Sequence, residues 1–510
     1  IIINILEEAK KFRTEGLKVK PGYVPMFSRG PNGVSIVSAH LDVKAHNHYG
    51  TVEKVSSFLD RIAAVNGSMK VDPITTNMLQ SDFGEYSGEE IGRVVFLPEK
   101  SGKLRVIAQG DYISQAALKP IHDTINGILG KIRGDYTFDQ DAGKRWAQKQ
   151  TSNHDWMASY DLSAATDRLP VWLQARIIDI CLPGELGSEW QSMLVDRPFK
   201  YTLPSGKSGY VKYSVGQPMG FYSSFASFAL LHHIVVRAAT RAALKGRLPR
   251  HQWYAIIGDD MVITNKLAGE KYVEYISAIG GVVNLSKSRI SATPGVTICE
   301  FAKSWFVNGV DITPASLRAV RSSLTNWADA PSMIKSFEEK IGKRLKAKKL
   351  RYILQKYWPK EANTLKRLIP VPQQVGGFGK PDSKPLVETM KGHHGNAMRS
   401  FIGNKLYTAF KYVTSIDADT IHESLGSDVD PKTARIALSP LLSLLRETES
   451  LIKVPYVVNS RNSFISWVLN SGTSYRTLLD WYDQLVVNMP VSTRERLEQP
   501  SLGWIRALED

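Results

Sequence analysis

The run Trp253-Tyr254-Ala255-Ile256-Ile257-Gly258-Asp259-Asp260-Met261-Val262-Ile263-Thr264-Asn265 sets two adjacent carboxylates between two apolar stretches. Gly and Asp favour a tight turn while Ile, Val and Trp favour strands, so the segment predicts a β-hairpin with its acids at the tip. Such a tip is not core. Neighbouring like charges are unfavourable without a counterion, and a hard divalent cation with oxygen ligands supplies one. Alone, Gly-Asp-Asp reads more readily as a solvated turn. What changes its meaning is a second acidic segment upstream, Asp161-Leu-Ser-Ala-Ala-Thr-Asp167.

A chain of 510 residues with 43% hydrophobic content can bury a large core and is expected to hold more than one domain or subdomain. Lys plus Arg number 65 against 49 Asp plus Glu, a formal charge of +16 that suits a polyanionic partner. Basicity alone leaves RNA, DNA and an anionic membrane open. Cys181 and Cys299 are too few and too far apart for a thiolate zinc site or a disulfide framework. The opening Ile-Ile-Ile-Asn-Ile-Leu run meets Glu7, Glu8 and Lys10 at once. No stretch approaches the roughly 20 apolar residues of a membrane-spanning helix, so no transmembrane segment is expected.

Along the chain, Val52–Ala64 has helical spacing, and Val94–Ala108 reads as strand, basic turn and strand. That hairpin carries Lys100, Lys103 and Arg105, and alternation puts the last two on one side of an extended strand. Trp156–Asp161 predicts a short strand ending in a carboxylate, followed by a helix from Arg168 to Ile180 with Pro170 near its start. Gly206–Val215 alternates as a hairpin or strand. Gly216-Gln-Pro-Met-Gly220-Phe-Tyr-Ser223-Ser224 is a turn feeding a buried helix over Phe225–Arg241. A glycine-rich loop entering a helix is also where backbone approaches a ribose or phosphate. His232 and His233 fall inside that helix with no carboxylate at ligand spacing, which predicts a structural role. Beyond about 320 the chain turns helical. Lys340, Lys343, Arg344, Lys346, Lys348, Lys349, Arg351, Lys356 and Lys360 predict a helix with one basic face, and further helices are expected from Ser439 and from Ser474.

Transfer of a phosphoryl group to a 3′-hydroxyl needs that hydroxyl deprotonated and the charge on the leaving pyrophosphate stabilised. Two divalent ions about 3.5 to 4 Å apart do both. Asp161 at a strand end and Asp259 at the hairpin tip are the carboxylates expected to bridge them, with Asp260 supporting one ion or the primer end. Asp167 need not touch metal, and is expected to accept from a ribose 2′-hydroxyl or to orient Ser223 or Ser224, whose hydroxyls both donate and accept. Those serines are equally ordinary helix caps. Lys100, Lys103 and Arg105 supply cations for a triphosphate, and Lys287 in Asn284-Leu-Ser-Lys287-Ser288 is a candidate proton donor to leaving pyrophosphate.

These segments resemble the viral RNA-dependent RNA polymerases, and most closely those of the mitoviruses and their narnavirus relatives. The resemblance rests on Asp161-Leu-Ser-Ala-Ala-Thr-Asp167-Arg168-Leu-Pro170, Gly216-Gln-Pro-Met-Gly220 with Ser223-Ser224, Gly258-Asp259-Asp260, Leu285-Ser-Lys287-Ser288 and Glu300-Phe-Ala-Lys303. Gly102-Lys-Leu-Arg105-Val-Ile-Ala108 and Thr137-Phe-Asp-Gln140 resemble the family's nucleotide-admitting segments, so the likeness covers about 95 to 305. It implies an α+β right-hand fold, with an N-terminal region and fingers over 1–155, an antiparallel-sheet palm with a fingers insertion over 156–319, and a mainly helical thumb and C-terminal region over 320–510. It further implies Mg2+ or Mn2+ on the carboxylates, template and product RNA and ribonucleoside triphosphates as partners, and a host mitochondrion as location. The segment matching Glu300–Lys303 would lie near the primer grip. Many positive-strand relatives place an asparagine after the motif serine to read the 2′-hydroxyl, where this chain has Phe225-Ala226-Ser227-Phe228.

Two other classes share part of this signature. A reverse transcriptase would use the same carboxylates, but typically sets an aromatic and a variable residue before the paired acids, where Ile257-Gly258 stands here. A catalytically silent RNA-binding protein would not require both acidic clusters.

Overall fold

The computed structural model describes residues 1–19, 26, 28–35, 38–67, 73–99, 102, 104–314, 316–341, 344–367, 369 and 378. These fall into two compact units, Ile1–Thr313 and the residues from Pro314 onward. The expected helices at Ser439 and Ser474 lie outside the described residues.

In chain order the first unit runs α1 (Ile2–Ala9), β1 (Arg29–Gly30), β2 (Gly33–Val34), α2 (Ala39–His48), α3 (Val52–Val65), α4 (Pro73–Leu79), β3 (Gly92–Pro98), β4 (Leu104–Gly110), α5 (Tyr112–Leu129), α6 (Gln140–Asn153) and β5 (Ala158–Tyr160). It continues with α7 (Ala165–Arg168), α8 (Val171–Cys181), α9 (Gly187–Val195), β6 (Phe199–Thr202), β7 (Ser208–Val211), α10 (Ser224–Ala243), β8 (Tyr254–Ile257), β9 (Asp260–Ile263), α11 (Lys266–Ala278), β10 (Arg289–Ile290), β11 (Ile298–Phe301), β12 (Ser304–Val307) and β13 (Val310–Asp311). The second unit holds α12 (Leu317–Thr325), α13 (Ala330–Ile341), α14 (Ala347–Tyr357) and α15 (Ala362–Arg367). Helices and antiparallel sheet are both abundant, the α+β mixture that the sequence predicts.

Three sheets matter to the first unit. The central one has the order β10-β5-β9-β8 with every neighbour antiparallel. Its strands read Ala-Ser-Tyr, Tyr-Ala-Ile-Ile and Asp-Met-Val-Ile, short and almost wholly buried, so the sheet is covered on both sides. One cover is α10, whose side chains from Ala226 to Val236 are all buried, and which packs on α5 and α11. A second sheet, β4-β3-β6-β7, pairs the expected hairpin β3–β4 with β6 in parallel. The third, β11-β12-β13, turns at Ala302-Lys303, both with positive φ. That two-residue turn has the backbone of a primed hairpin without its usual glycine.

The second unit has its own core of Ala330, Ile334, Leu350, Leu354, Trp358, Leu365, Ile369 and Phe378. The basic run expected on one helix is divided between two, because α13 ends at Ile341, next to Gly342 in sequence, a residue that favours a helix end. Leu345 N then donates to the Glu338 carboxylate at 2.6 Å, fixing the start of the next helix. On α14 the inward residues are Leu350 and Leu354, while Lys346, Lys348, Lys349, Arg351 and Lys356 are exposed.

Candidate active site

Strand register brings the distant acids together. Tyr160 of β5 pairs with Met261 of β9, and Ile257 of β8 pairs with Asp260. One residue past Tyr160, Asp161 therefore comes level with Asp260, and Asp259 stands in the two-residue turn beyond. On the other flank of β5 the segment before β10 is laced to the same end. Ser163 N donates to Val282 O at 2.8 Å, Asn284 N to Asp161 O at 2.8 Å, and Asp161 N to Ser288 Oγ at 3.1 Å. This lacing carries Lys287 to Asp161, with Nζ 3.7 Å from Oδ2.

The acidic turn is held from beneath. Gly258 has φ +60°, the first-position geometry a II′ turn reserves for glycine, and a Cβ there would stand 2.6 Å from the Phe225 ring. His232 Nδ1 donates to the Gly258 carbonyl at 2.7 Å, and Tyr272 OH donates to Nε2 at 2.8 Å. Burial lowers that imidazole to about 4, so it is neutral and keeps the tautomer this pattern requires. His233 lies between the Tyr254 hydroxyl and the Asp135 carboxylate. Both histidines thus serve the fold, as the sequence predicts.

A cleft of about 910 Å³ opens in front of this turn. Arg105, Asp161, Asp167, Ser224, Asp259 and Lys287 line it together. Asp260 and Ser223 are not among its lining residues, and Lys100 and Lys103 lie outside the described residues. Ser223 has φ +67° and is 1% exposed, its hydroxyl accepting from Trp190 Nε1 at 2.7 Å, so it is directed into the core. Arg105 is exposed on β4, its Nε donating to Glu99 at 2.7 Å.

The glycine-rich loop is pressed onto the Asp161–Asp167 segment. Gln217 N donates to Thr166 O at 3.0 Å, and a Cβ at Gly216 would lie 2.2 Å from that oxygen. Only glycine permits this approach. Asp167 is exposed overall, yet desolvation by the cleft wall raises its carboxyl above the ordinary value, with Arg168 opposing.

Asp260 shows how crowded the charge is. Burial first, then Asp259, Asp161 and Glu300, push its carboxyl up to about 6 against the pull of Lys303. Glu300 is raised as well, by burial and by Asp161, with Arg289 opposing. Crowded carboxylate oxygens are hard donors, the donor chemistry that Mg2+ or Mn2+ favours. Among the described residues no three His, Cys, Asp or Glu side chains already stand as a closed ligand set. The donors fit such ions in kind, and holding one requires their side chains to close around it.

Two cleft residues escaped the sequence reading. Gln115 of α5 donates from Nε2 to Gly220 O at 2.9 Å and accepts from Tyr222 N at 2.6 Å, while His122 Nδ1 accepts from Ser223 N at 3.1 Å. Both line the cleft and brace the glycine-rich loop. One glutamine and one histidine on a helix carry no spacing signal that would mark them.

Comparison with known proteins adds what geometry alone does not. A family model described as Mitovirus RNA-dependent RNA polymerase matches residues 17–427. The chain is 36% identical over 217 residues to the RNA-directed RNA polymerase of Cryphonectria parasitica mitovirus 1, covering 42% of this chain and 25% of that one. It is 32% identical over 200 residues to an uncharacterized mitochondrial protein of Arabidopsis thaliana, covering 38% of this chain and 77% of the other. The match thus spans a quarter of the length of the first relative. A crystal structure of an insertion-loop deletion mutant of a human picobirnavirus RNA-dependent RNA polymerase aligns at 15% identity and TM-score 0.39, covering 61% of this chain and 64% of that one.

Proposed function

The chain belongs to the mitovirus RNA-dependent RNA polymerase family, and from that premise we propose that it copies an RNA template from ribonucleoside triphosphates to replicate a viral genome. The observation that carries the reading is the β5–β9–β8 register, which brings Asp161, Asp259 and Asp260 to one end of the sheet beside a cleft also lined by Arg105 and Lys287. In this reading the central sheet is the palm of a right hand, 1–155 supplies the N-terminal region and fingers, 156–319 the palm with its insertion, and 320–510 the helical thumb and C-terminal region. The likeness to an Arabidopsis mitochondrial protein supports a mitochondrial location.

Asp161 and Asp259 would hold Mg2+ or Mn2+, with Asp260 in support. Bound there, the metal would activate the primer 3′-hydroxyl and neutralise charge on the leaving pyrophosphate. Arg105 exchanges its Glu99 partner for triphosphate oxygens, which its planar fork grips better than a lone carboxylate oxygen. Lys287, already beside Asp161, gives its proton to departing pyrophosphate. Asp167 and Ser224 face the sugar from one wall of the cleft and hydrogen-bond its 2′-hydroxyl.

Product analysis on a primed RNA template tests the proposal, comparing ribonucleotides with deoxyribonucleotides. Metal-dependent RNA product is the expected result. Predominantly DNA product would make the chain a reverse transcriptase, and no polymer under any metal would make it a silent RNA binder.

A further inference from the structure

A second cavity, of about 440 Å³, opens at the other end of β8. Trp253 and Tyr254, at the start of that strand, line it with the turn at Lys11–Thr14, the segment following α5 and the loop preceding β8. A strand advances about 3.3 Å per residue, so the four steps from Tyr254 to Gly258 set this cavity about 13 Å from the acidic turn.

The lining is basic. Lys11, Arg13, Lys131, Arg133, Arg250 and His251 are exposed around it, none of them ion-paired with a described residue, and none of the described lining residues is acidic. Arg237 also lines the cavity, but Glu8 meets its charge at 2.7 Å and the Phe12 ring lies 5.3 Å beneath it. The half-buried charge of Arg237 is therefore compensated inside the fold, and the exposed ones have no ion-pair partner among the described residues. Five lysine and arginine cations round one concavity repel one another, and their exposure means that packing does not require them there.

We propose that this cavity is a second RNA-binding site, which takes the phosphodiester backbone of single-stranded RNA away from the catalytic cleft. Guanidinium forks match phosphate oxygens, and three of the five cations are arginines. Little in the site would read a base. The Gln252 amide is engaged by the Tyr136 hydroxyl at 2.9 Å and the Tyr254 carbonyl at 3.1 Å, and Trp253 and Tyr254 are 8% and 3% exposed. Binding is therefore independent of sequence. A membrane surface fits less well, because none of the lining residues is among the exposed large hydrophobics that insertion needs. A small-nucleotide pocket would be mainly apolar with a few polar groups, the reverse of this lining.

The inference goes beyond the polymerase reading, since it concerns binding and not chemistry. The test is a full-length chain carrying Lys131→Ala, Arg133→Ala and Arg250→Ala together, titrated with a short labelled single-stranded RNA over a salt series. Parallel titrations use phosphatidylserine vesicles and ATP. Affinity for RNA should fall about tenfold, and the slope of log affinity against log salt should shrink by about 2, at roughly 0.7 per single-strand phosphate contact. The melting midpoint should hold, as should incorporation on a short primed template at saturating RNA. An unchanged affinity and slope would overturn the site. So would lost vesicle or ATP binding with RNA binding intact, or an equal loss of incorporation on the short template. Failure of the unmodified chain to polymerise would remove the polymerase reading, while the salt slope would still decide this one.

Discussion

His232 is buried, neutral and hydrogen-bonded to the carbonyl of the acidic turn. Its folded value of about 4 lies below the ordinary 6.5, so protons bind the unfolded chain more readily across that window. The stabilisation is complete above 6.5 and is lost as pH falls towards 4, amounting to about 3 kcal/mol. Urea melts at a series of pH values should show that decline, and His232→Gln should flatten it; parallel curves would remove His232 as its source. Asp167 lines the cleft where a ribose would sit in the proposed reading. Asp167→Ala should lose more efficiency with ribonucleoside than with deoxyribonucleoside triphosphates, because only the former leaves a 2′-hydroxyl unpaired. Incorporation efficiencies for matched pairs on one template measure it, and equal losses would reduce Asp167 to a structural part. The two kinds of residue differed in legibility. Asp161, Asp167 and Asp259 announced themselves through acidic spacing, whereas the inward turn of Ser223 depends on its positive φ and on Trp190, 33 positions away.

The β3–β4 hairpin presents Arg105 to the cleft, with the half-exposed Glu99 as its ion-pair partner among the described residues. Arg105→Ala should raise the apparent KM for triphosphate about ten- to hundredfold, the worth of a charge-assisted contact of roughly 1.5 to 3 kcal/mol, while RNA affinity holds. Steady-state kinetics against direct RNA binding separates the two, and weakened RNA binding at constant KM would assign the hairpin to the template. Elements of this kind were readable because turn chemistry and β-branched runs are local. The β8–β9 hairpin, the β3–β4 hairpin, α3 and α10 all follow from residues within a few positions of one another. Pairings between distant segments left no such trace. The parallel contact of β6 with β3, the addition of β10 to β5 and the Ala302-Lys303 turn without glycine are decided by tertiary packing. The division of the basic run into α13 and α14 was signalled only by Gly342.

At the scale of the molecule, a formal charge of +16 suits a polyanionic partner. Lys348, Lys349 and Lys356 are exposed on α14, whose inward side is occupied by Leu350 and Leu354. Neutralising the three should weaken binding alike for every RNA sequence and lower the salt slope by about 2. Affinities over a salt series for two unrelated RNAs test this, and an unchanged slope would return α14 to an ordinary solvated helix. Asp259 is exposed at the tip of its turn, so removing its carboxylate should cost little stability, within about 0.5 kcal/mol for a surface site. The most direct measurement is extension of a primed RNA template by Asp259→Ala and by the unmodified chain, in Mg2+ and in Mn2+, with a melting curve for each. Abolished extension with an unchanged melting midpoint is the result predicted. Near-normal extension by the variant would contradict the assignment of these carboxylates to phosphoryl transfer.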